Sequence, residues 1–202
     1  MLKKNLIFLT VAVVMFLAFS YKEARDLDLA QTLIMDAYYG DLIAVKNDLE
    51  KGADIHYELY FNDAERGYRQ RTFNILHAAA SSGNEDLLIF LLSEGLDINN
   101  PTEEGWTPLF IATRDGRAEA AKLLIYKQAN INVQTDLGAT ALLMAVTQPF
   151  ESEKARLDLL EYMLKRGADT TVTDIYGHTP LYYAEKQGKT EITALLKQYA
   201  TK

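Results

Sequence analysis

Three histidines, His56, His77 and His178, are the side chains here best suited to bind zinc or exchange protons near neutral pH. They lie far apart, with no i, i+4 pair and no His-Glu-x-x-His run, so the sequence gives a catalytic zinc site little support. Cysteine is absent, which removes thiol catalysis and cysteine metal sites. Gln187-Gly188-Lys189-Thr190 imitates the end of a phosphate-binding loop, but Tyr183 stands where that loop would open with glycine. Serines are few and none sits in a Gly-x-Ser-x-Gly elbow, while Glu103 and Glu104 are sequence neighbours rather than an acid/base dyad. These residues predict no catalytic site, no metal site and no cofactor, and the chain reads as a non-enzyme.

What positions them is a repeat. Gly105-Trp106-Thr107-Pro108-Leu109-Phe110-Ile111-Ala112 recurs as Gly138-Ala139-Thr140-Ala141-Leu142-Leu143-Met144-Ala145 and as Gly177-His178-Thr179-Pro180-Leu181-Tyr182-Tyr183-Ala184. Asn74-Ile75-Leu76-His77-Ala78-Ala79 is a fourth copy, and the marker leucines 76, 109 and 142 stand 33 residues apart, with 39 from 142 to 181. A second block follows each first one: Gly83 to Gly95 matches Gly116 to Gln128, Ala155 to Gly167 and, more loosely, Gly40 to Gly52. Each block spaces its apolar residues helically and closes near a glycine suited to a left-handed cap, so each unit is two short helices and a turn.

The pattern resembles the ankyrin repeat family, whose units carry G-x-T-P-L-H-x-A-A and then G-x-x-x-x-V-x-x-L-L-x-x-G-A-D. Proline at the first helical position has the right φ and lacks an N–H that would go unused there. The resemblance implies an all-α solenoid of about five helix-turn-helix units with short β-hairpin fingers: 28–54 as a cap, 72–104, 105–137, 138–176 with an insertion, and 177–202 as a second cap. Departures are Gln128 in a glycine slot, and Phe110, Leu143 and Tyr182 in the slot where His77 keeps the family histidine.

Two insertions break the period. Six extra residues fall within Thr147 to Lys154, where Pro149 is expected to stop one helix and the acidic residues to favour the next, as a tolerated loop. From Leu33 to Leu76 is 43 residues, so ten are added between Asp54 and Asn74. There Tyr57, Leu59 and Phe61 alternate with Glu58 and Tyr60, and Tyr68, Gln70 and Thr72 alternate with Arg69 and Arg71. An elongated finger turning near Asp63 to Gly67 is predicted.

Residues 1–20 read as an export signal. Lys3 and Lys4 lead, Leu6 to Phe19 is apolar apart from Thr10, and Ala18-Phe19-Ser20 resembles a cleavage site. A run of fourteen residues is short for a bilayer span of about twenty, which favours cleavage over an uncleaved signal anchor. Removing the two lysines takes the formal charge from −7 to −9 and makes nucleic acid an unfavourable partner. A periplasmic or secreted location is expected, with inner-membrane anchoring as the alternative. The chain is expected to be a monomer that meets a membrane only through an uncleaved N-terminus.

By resemblance, a protein partner would lie against fingers and inner helix ends: Tyr57, Tyr60, Tyr68, Arg71, Phe73 and Ser82; Glu103, Glu104, Trp106, Arg114 and Asp115; Asp136, Leu137 and Gln148; Ile175, Tyr176, His178 and Lys186. Aromatic and arginine side chains most often dominate interfaces, and Trp106, Ile175 and Tyr176 have no evident core role in sequence. The expected function is an exported partner-binding module, an immunity-type inhibitor of an envelope-targeted toxin or a scaffold for an envelope enzyme.

Overall fold

The computed structural model describes residues 26–61 and 71–200. The first unit holds α1 (26–39) and α2 (Leu42–Glu50), and a finger follows, built from β1 (Glu58–Phe61) and β2 (Arg71–Asn74). Then come α3 (Ile75–Ser82) with α4 (Glu85–Ser93), α5 (Pro108–Arg114) with α6 (Ala118–Tyr126), α7 (Ala141–Thr147) with α8 (Glu153–Lys165), and α9 (Pro180–Lys186) with α10 (Thr190–Ala200).

Helices of seven to nine residues are too short to persist alone, so the sequence must start them firmly and stack them. The repeated threonine does the first job. Thr107, Thr140 and Thr179 each turn a side-chain oxygen onto the N–H three residues later, that of Phe110, Leu143 and Tyr182, at 3.2, 3.3 and 3.2 Å. Asn74 does the same for His77 at 3.1 Å, and His77 Nδ1 accepts from the Asn74 N–H at 3.2 Å to close a capping box. Stacking is done by the leucines and alanines: α3, α5, α7 and α9 pack on one another as an inner row, and α4, α6, α8 and α10 as an outer row. Ile75, Leu76, Leu109, Ile111, Leu142, Leu159 and Leu160 are fully buried between the rows. Each such side chain contributes about 1.5–3 kcal/mol by leaving water.

The finger bases repeat as faithfully as the helices. Thr102 N–H donates to the Trp106 carbonyl, Thr135 N–H to that of Ala139 and Asp174 N–H to that of His178, at 3.0, 2.9 and 3.1 Å. Neighbouring fingers are tied by Asp136 N–H to Glu104 O (3.0 Å) and Ile175 N–H to Leu137 O (3.1 Å). Gly138 permits this approach: φ is +70°, and a Cβ there would lie 2.9 Å from both Asp174 Cα and Thr173 O.

In the elongated finger β1 and β2 are antiparallel, pairing Glu58 with Asn74, Leu59 with Phe73, Tyr60 with Thr72 and Phe61 with Arg71. The second strand therefore runs directly into the cap of α3. Tyr68 and the turn expected near Asp63 to Gly67 lie outside the described residues.

The six-residue insertion is packed rather than merely tolerated. α7 stops at Thr147 ahead of Pro149, and Ser152 caps α8, which is lengthened to 13 residues. Arg156, nearly buried, donates to the Gln148 carbonyl at 2.8 Å, pairs with Glu153 at 2.9 Å and places its guanidinium 5.5 Å from the centre of the Phe150 ring. The Pro149 carbonyl presses on the α5–α6 turn, where a Cβ on Gly116 would come within 2.8 Å of it.

Candidate functional site

Each unit carries a ladder of three residues spaced four apart: the last two lie on one side of the inner helix, and the first stands just ahead of the capping residue, outside the helix. In α5 the ladder is Trp106, Phe110 and Arg114; the two rings stack at 5.7 Å and 27°, and the Arg114 guanidinium lies 4.8 Å from the indole. In α9 it is His178, Tyr182 and Lys186; imidazole and phenol stack at 3.9 Å and 5°, and Lys186 Nζ lies 5.5 Å from the Tyr182 ring. α3 begins likewise, with Phe73 on His77 at 5.4 Å, but ends in Ser81. Between the two aromatic and cationic ladders, α7 offers only Ala139, Leu143 and Thr147. Inner helices pack about 8–10 Å apart, so the two ladders stand roughly 20 Å apart, with the smaller side chains of α7 between them.

Finger closure sets the top of each ladder. Trp106 N–H donates to Thr102 Oγ1 at 3.1 Å, Ala139 N–H to Thr135 Oγ1 at 3.1 Å, and His178 N–H to Asp174 Oδ1 at 3.0 Å. Asp174 also accepts from the Tyr176 N–H at 2.9 Å and from the Tyr183 hydroxyl at 2.6 Å. Burial alone would raise the Asp174 pKa; the hydrogen bonds from Tyr183, His178 and Tyr176 outweigh it, and the carboxyl sits below its ordinary range. The same bond to Asp174 is the main reason the Tyr183 phenol is pushed up to about 12.

His77 belongs to the scaffold. It is buried, its Nδ1 accepts from Asn74 N–H, and its Nε2–H therefore faces the Asn100 carbonyl at 2.9 Å. Burial lowers its pKa to about 4, against a smaller opposing pull from the Asn100 and Trp106 carbonyls. Gln187 to Thr190 forms the α9–α10 turn, where Lys189 Nζ donates to the Val146 carbonyl.

The structure groups the sequence-predicted residues unevenly. Trp106, Arg114 and Asp115 come together: Arg114 makes a two-pronged pair with Asp115 at 2.7 and 2.9 Å, and Asp115 also accepts from Ser81 Oγ at 2.6 Å. Trp106 leans back onto its own helix and the core margin, which its sequence position alone does not reveal. Leu137, Ile175 and Tyr176 crown adjacent fingers and are 60%, 57% and 73% exposed, while His178 is half-buried beneath them. Glu103 is exposed and Glu104 half-buried, accepting from Thr102 Oγ1 at 3.2 Å. Tyr57 and Phe73 pack on the core margin, and Tyr60 and Arg71 are placed by backbone pairing alone. Phe110 and Tyr182 are ladder members that in sequence stand out only as replacements for a family histidine; their i+4 spacing from Trp106 and His178 is the signal that marks them.

The family model described as ankyrin repeats (3 copies) matches residues 23–135 and 76–174. Alpha-latrotoxin-Lg1a of Latrodectus geometricus is 33% identical over 127 residues, 61% of this chain and 9% of the toxin. The Homo sapiens ankyrin repeat, SAM and basic leucine zipper domain-containing protein 1 is 31% identical over 116 residues, 57% of this chain and 24% of that protein. Each match thus spans a quarter or less of the relative's length. Repeats of this kind point to a protein-interaction role, and proteins built from them are generally non-catalytic. With its repeats matched across residues 23–174, the chain belongs to the ankyrin repeat family.

Proposed function

We propose that this is an exported, non-catalytic ankyrin-repeat protein that holds a protein partner against its inner helix row and fingers, as an immunity-type inhibitor of an envelope-targeted toxin. The observation that carries the binding reading is the pair of aromatic and cationic ladders at Trp106 and His178, on either side of α7. Phe110 is buried behind Trp106, so the rings within a partner's reach are those of half-buried Trp106 and His178 and of exposed Tyr182, held by their stacks; aromatic anchors of this kind often dominate interface energetics. The inhibitor reading draws on small size, the signal-like N-terminus and an acidic charge that favours a basic partner.

The test compares proteins captured from envelope extracts by the unaltered chain and by Trp106→Ala/Tyr182→Ala, with Tyr126→Ala on the outer row as control. Loss of about 30-fold or more in affinity for one captured partner is expected from two anchors of this type. Equal capture by all three proteins would place the binding face elsewhere. A partner whose toxicity the chain neutralises supports inhibition; an enzyme whose activity is unaffected supports a scaffold.

A second reading, a scaffold tethered by a retained N-terminal run, is favoured by the first unit. Leu27, Met35, Tyr38, Tyr39 and Ile43 are all large apolar or aromatic side chains exposed there.

A further inference from the structure

We infer that the N-terminal pole of the solenoid rests on a lipid bilayer surface through Leu27, Met35, Tyr38, Tyr39 and Ile43, an inference that builds on the tethered reading. The five residues are 47%, 46%, 48%, 75% and 73% exposed. A terminal unit ordinarily turns a polar face outward, because no neighbour covers it. The opposite pole does so: the exposed positions of α10 include Thr190, Glu191, Lys197 and Gln198, and none is a large apolar residue.

The repeat register shows how the first unit departs. Ile43 occupies the slot filled by Asp86 and Glu119 in the next two units, both exposed carboxylates. Met35 occupies the slot of Ala78 and Ile111, both fully buried. Tyr38 and Tyr39, at the end of the helix that carries Met35, fill the slots of Ser81 and Ser82 and meet edge to face with ring centres 5.7 Å apart. Aromatic side chains with one polar end are suited to the water–lipid boundary.

Sequence placement supplies the occupant. The apolar stretch Leu6 to Phe19 ends seven residues before Asp26, the first described residue of α1, so at most about 25 Å of chain separates the two. With that stretch in a bilayer, the first unit is the one held at the surface. Lys22 and Arg25 in the join, against Glu23, leave it one net positive charge, a weak attraction for anionic headgroups. Exposed Asp26, Asp28 and Asp41 border the patch, so the contact is shallow, at headgroup depth. Among the described residues no helix is long and apolar enough to cross a membrane, so the patch lies on the bilayer and does not span it.

The test uses the full chain made in the presence of vesicles of phosphatidylethanolamine and phosphatidylglycerol. A photoreactive phenylalanine analogue replaces Tyr39 or Ile43 in two samples, and Tyr126 or Tyr176 in two controls of similar exposure. Lipid adducts at 39 and 43 are expected at about five times the control yield or more, and Ile43→Asp, which restores the residue type of the next unit, should cut the adduct at 39 several-fold. Equal yields at all four sites, or adducts only with protein, a second copy of the chain included, would overturn the inference. The first residue of the recovered chain separately judges the tether. A start at Tyr21 with lipid adducts keeps the surface contact and discards the tether, and a retained Met1 without them does the reverse.

Discussion

Lowering the pH from 7 to 5 should weaken the fold through His77 in particular. In the folded chain its imidazole is buried and neutral, with a pKa near 4, while in the unfolded chain it returns to about 6.5. As the folded pKa is the lower one, the neutral form's stability is fully present above pH 6.5 and is lost as pH falls from 6.5 towards 4. At pH 5 the unfolded state is mostly protonated at this site and the folded state mostly not, a loss of about 2 kcal/mol relative to pH 7. Carboxylates titrate in the same window, so the informative quantity is a difference between two proteins. His77→Gln keeps an acceptor that can reach back to the Asn74 N–H, as glutamine does in capping boxes, and cannot take up a proton. It should cost about 1–2 kcal/mol at pH 7 through the weakened contact with Asn100, and the gap should close by about 2 kcal/mol at pH 5. Urea unfolding at both pH values measures this, with far-UV and tyrosine signals compared because repeat arrays can unfold in parts. Curves for the two proteins that stay parallel within about 0.5 kcal/mol would refute a neutral His77. A resonance assigned to His77, identified by its loss in His77→Gln, that titrates near 6.5 in the folded chain would refute it directly.

Gly138→Ala should destabilise by about 2–3 kcal/mol, because it adds a Cβ against the Asp174 backbone at a left-handed φ; Gly167→Ala, with open space at φ +90°, should cost only about 1–2, both read from urea midpoints. Gln128 sits at φ +72° in a slot that is glycine at 95 and 167, so Gln128→Gly should stabilise by about 1 kcal/mol, and a fall in stability would refute the strain. In an ultraviolet pH titration one tyrosine should ionise only near 12, and Asp174→Asn should bring it back towards 10.

The sequence made the helices legible because every repeated residue has a local duty. Threonine caps, proline starts, leucine and alanine fill fixed volumes, and these requirements recur every 33 residues. The strand pairing of the long finger was legible from alternation, but its register was not. Asn74 both pairs with Glu58 and caps α3, so the second strand extends to Asn74, past the alternating stretch that ends at Thr72. The packing of the insertion was hidden for a different reason. Whether Pro149 lies in open water or against Gly116 depends on which turn sits beside it, a contact between residues more than thirty apart.

The surface obeys the same logic in reverse. Positions that the fold leaves free vary between units, so the informative comparison runs along one slot through successive repeats. The slot after the marker leucine holds His77, Phe110, Leu143 and Tyr182. His77 satisfies backbone groups, whereas Phe110 and Tyr182 each back a ring one turn earlier, Trp106 and His178. In both units the threonine cap stands without the histidine that follows it in the family pattern, and the slot holds a ring that stacks instead. Where Asn74 caps, the slot closes the capping box; where threonine caps alone, it backs a neighbouring ring in two of three units, buried at Phe110 and exposed at Tyr182. Leu143 does neither: it is buried and stacks on no ring, so α7 carries no aromatic ladder between the other two.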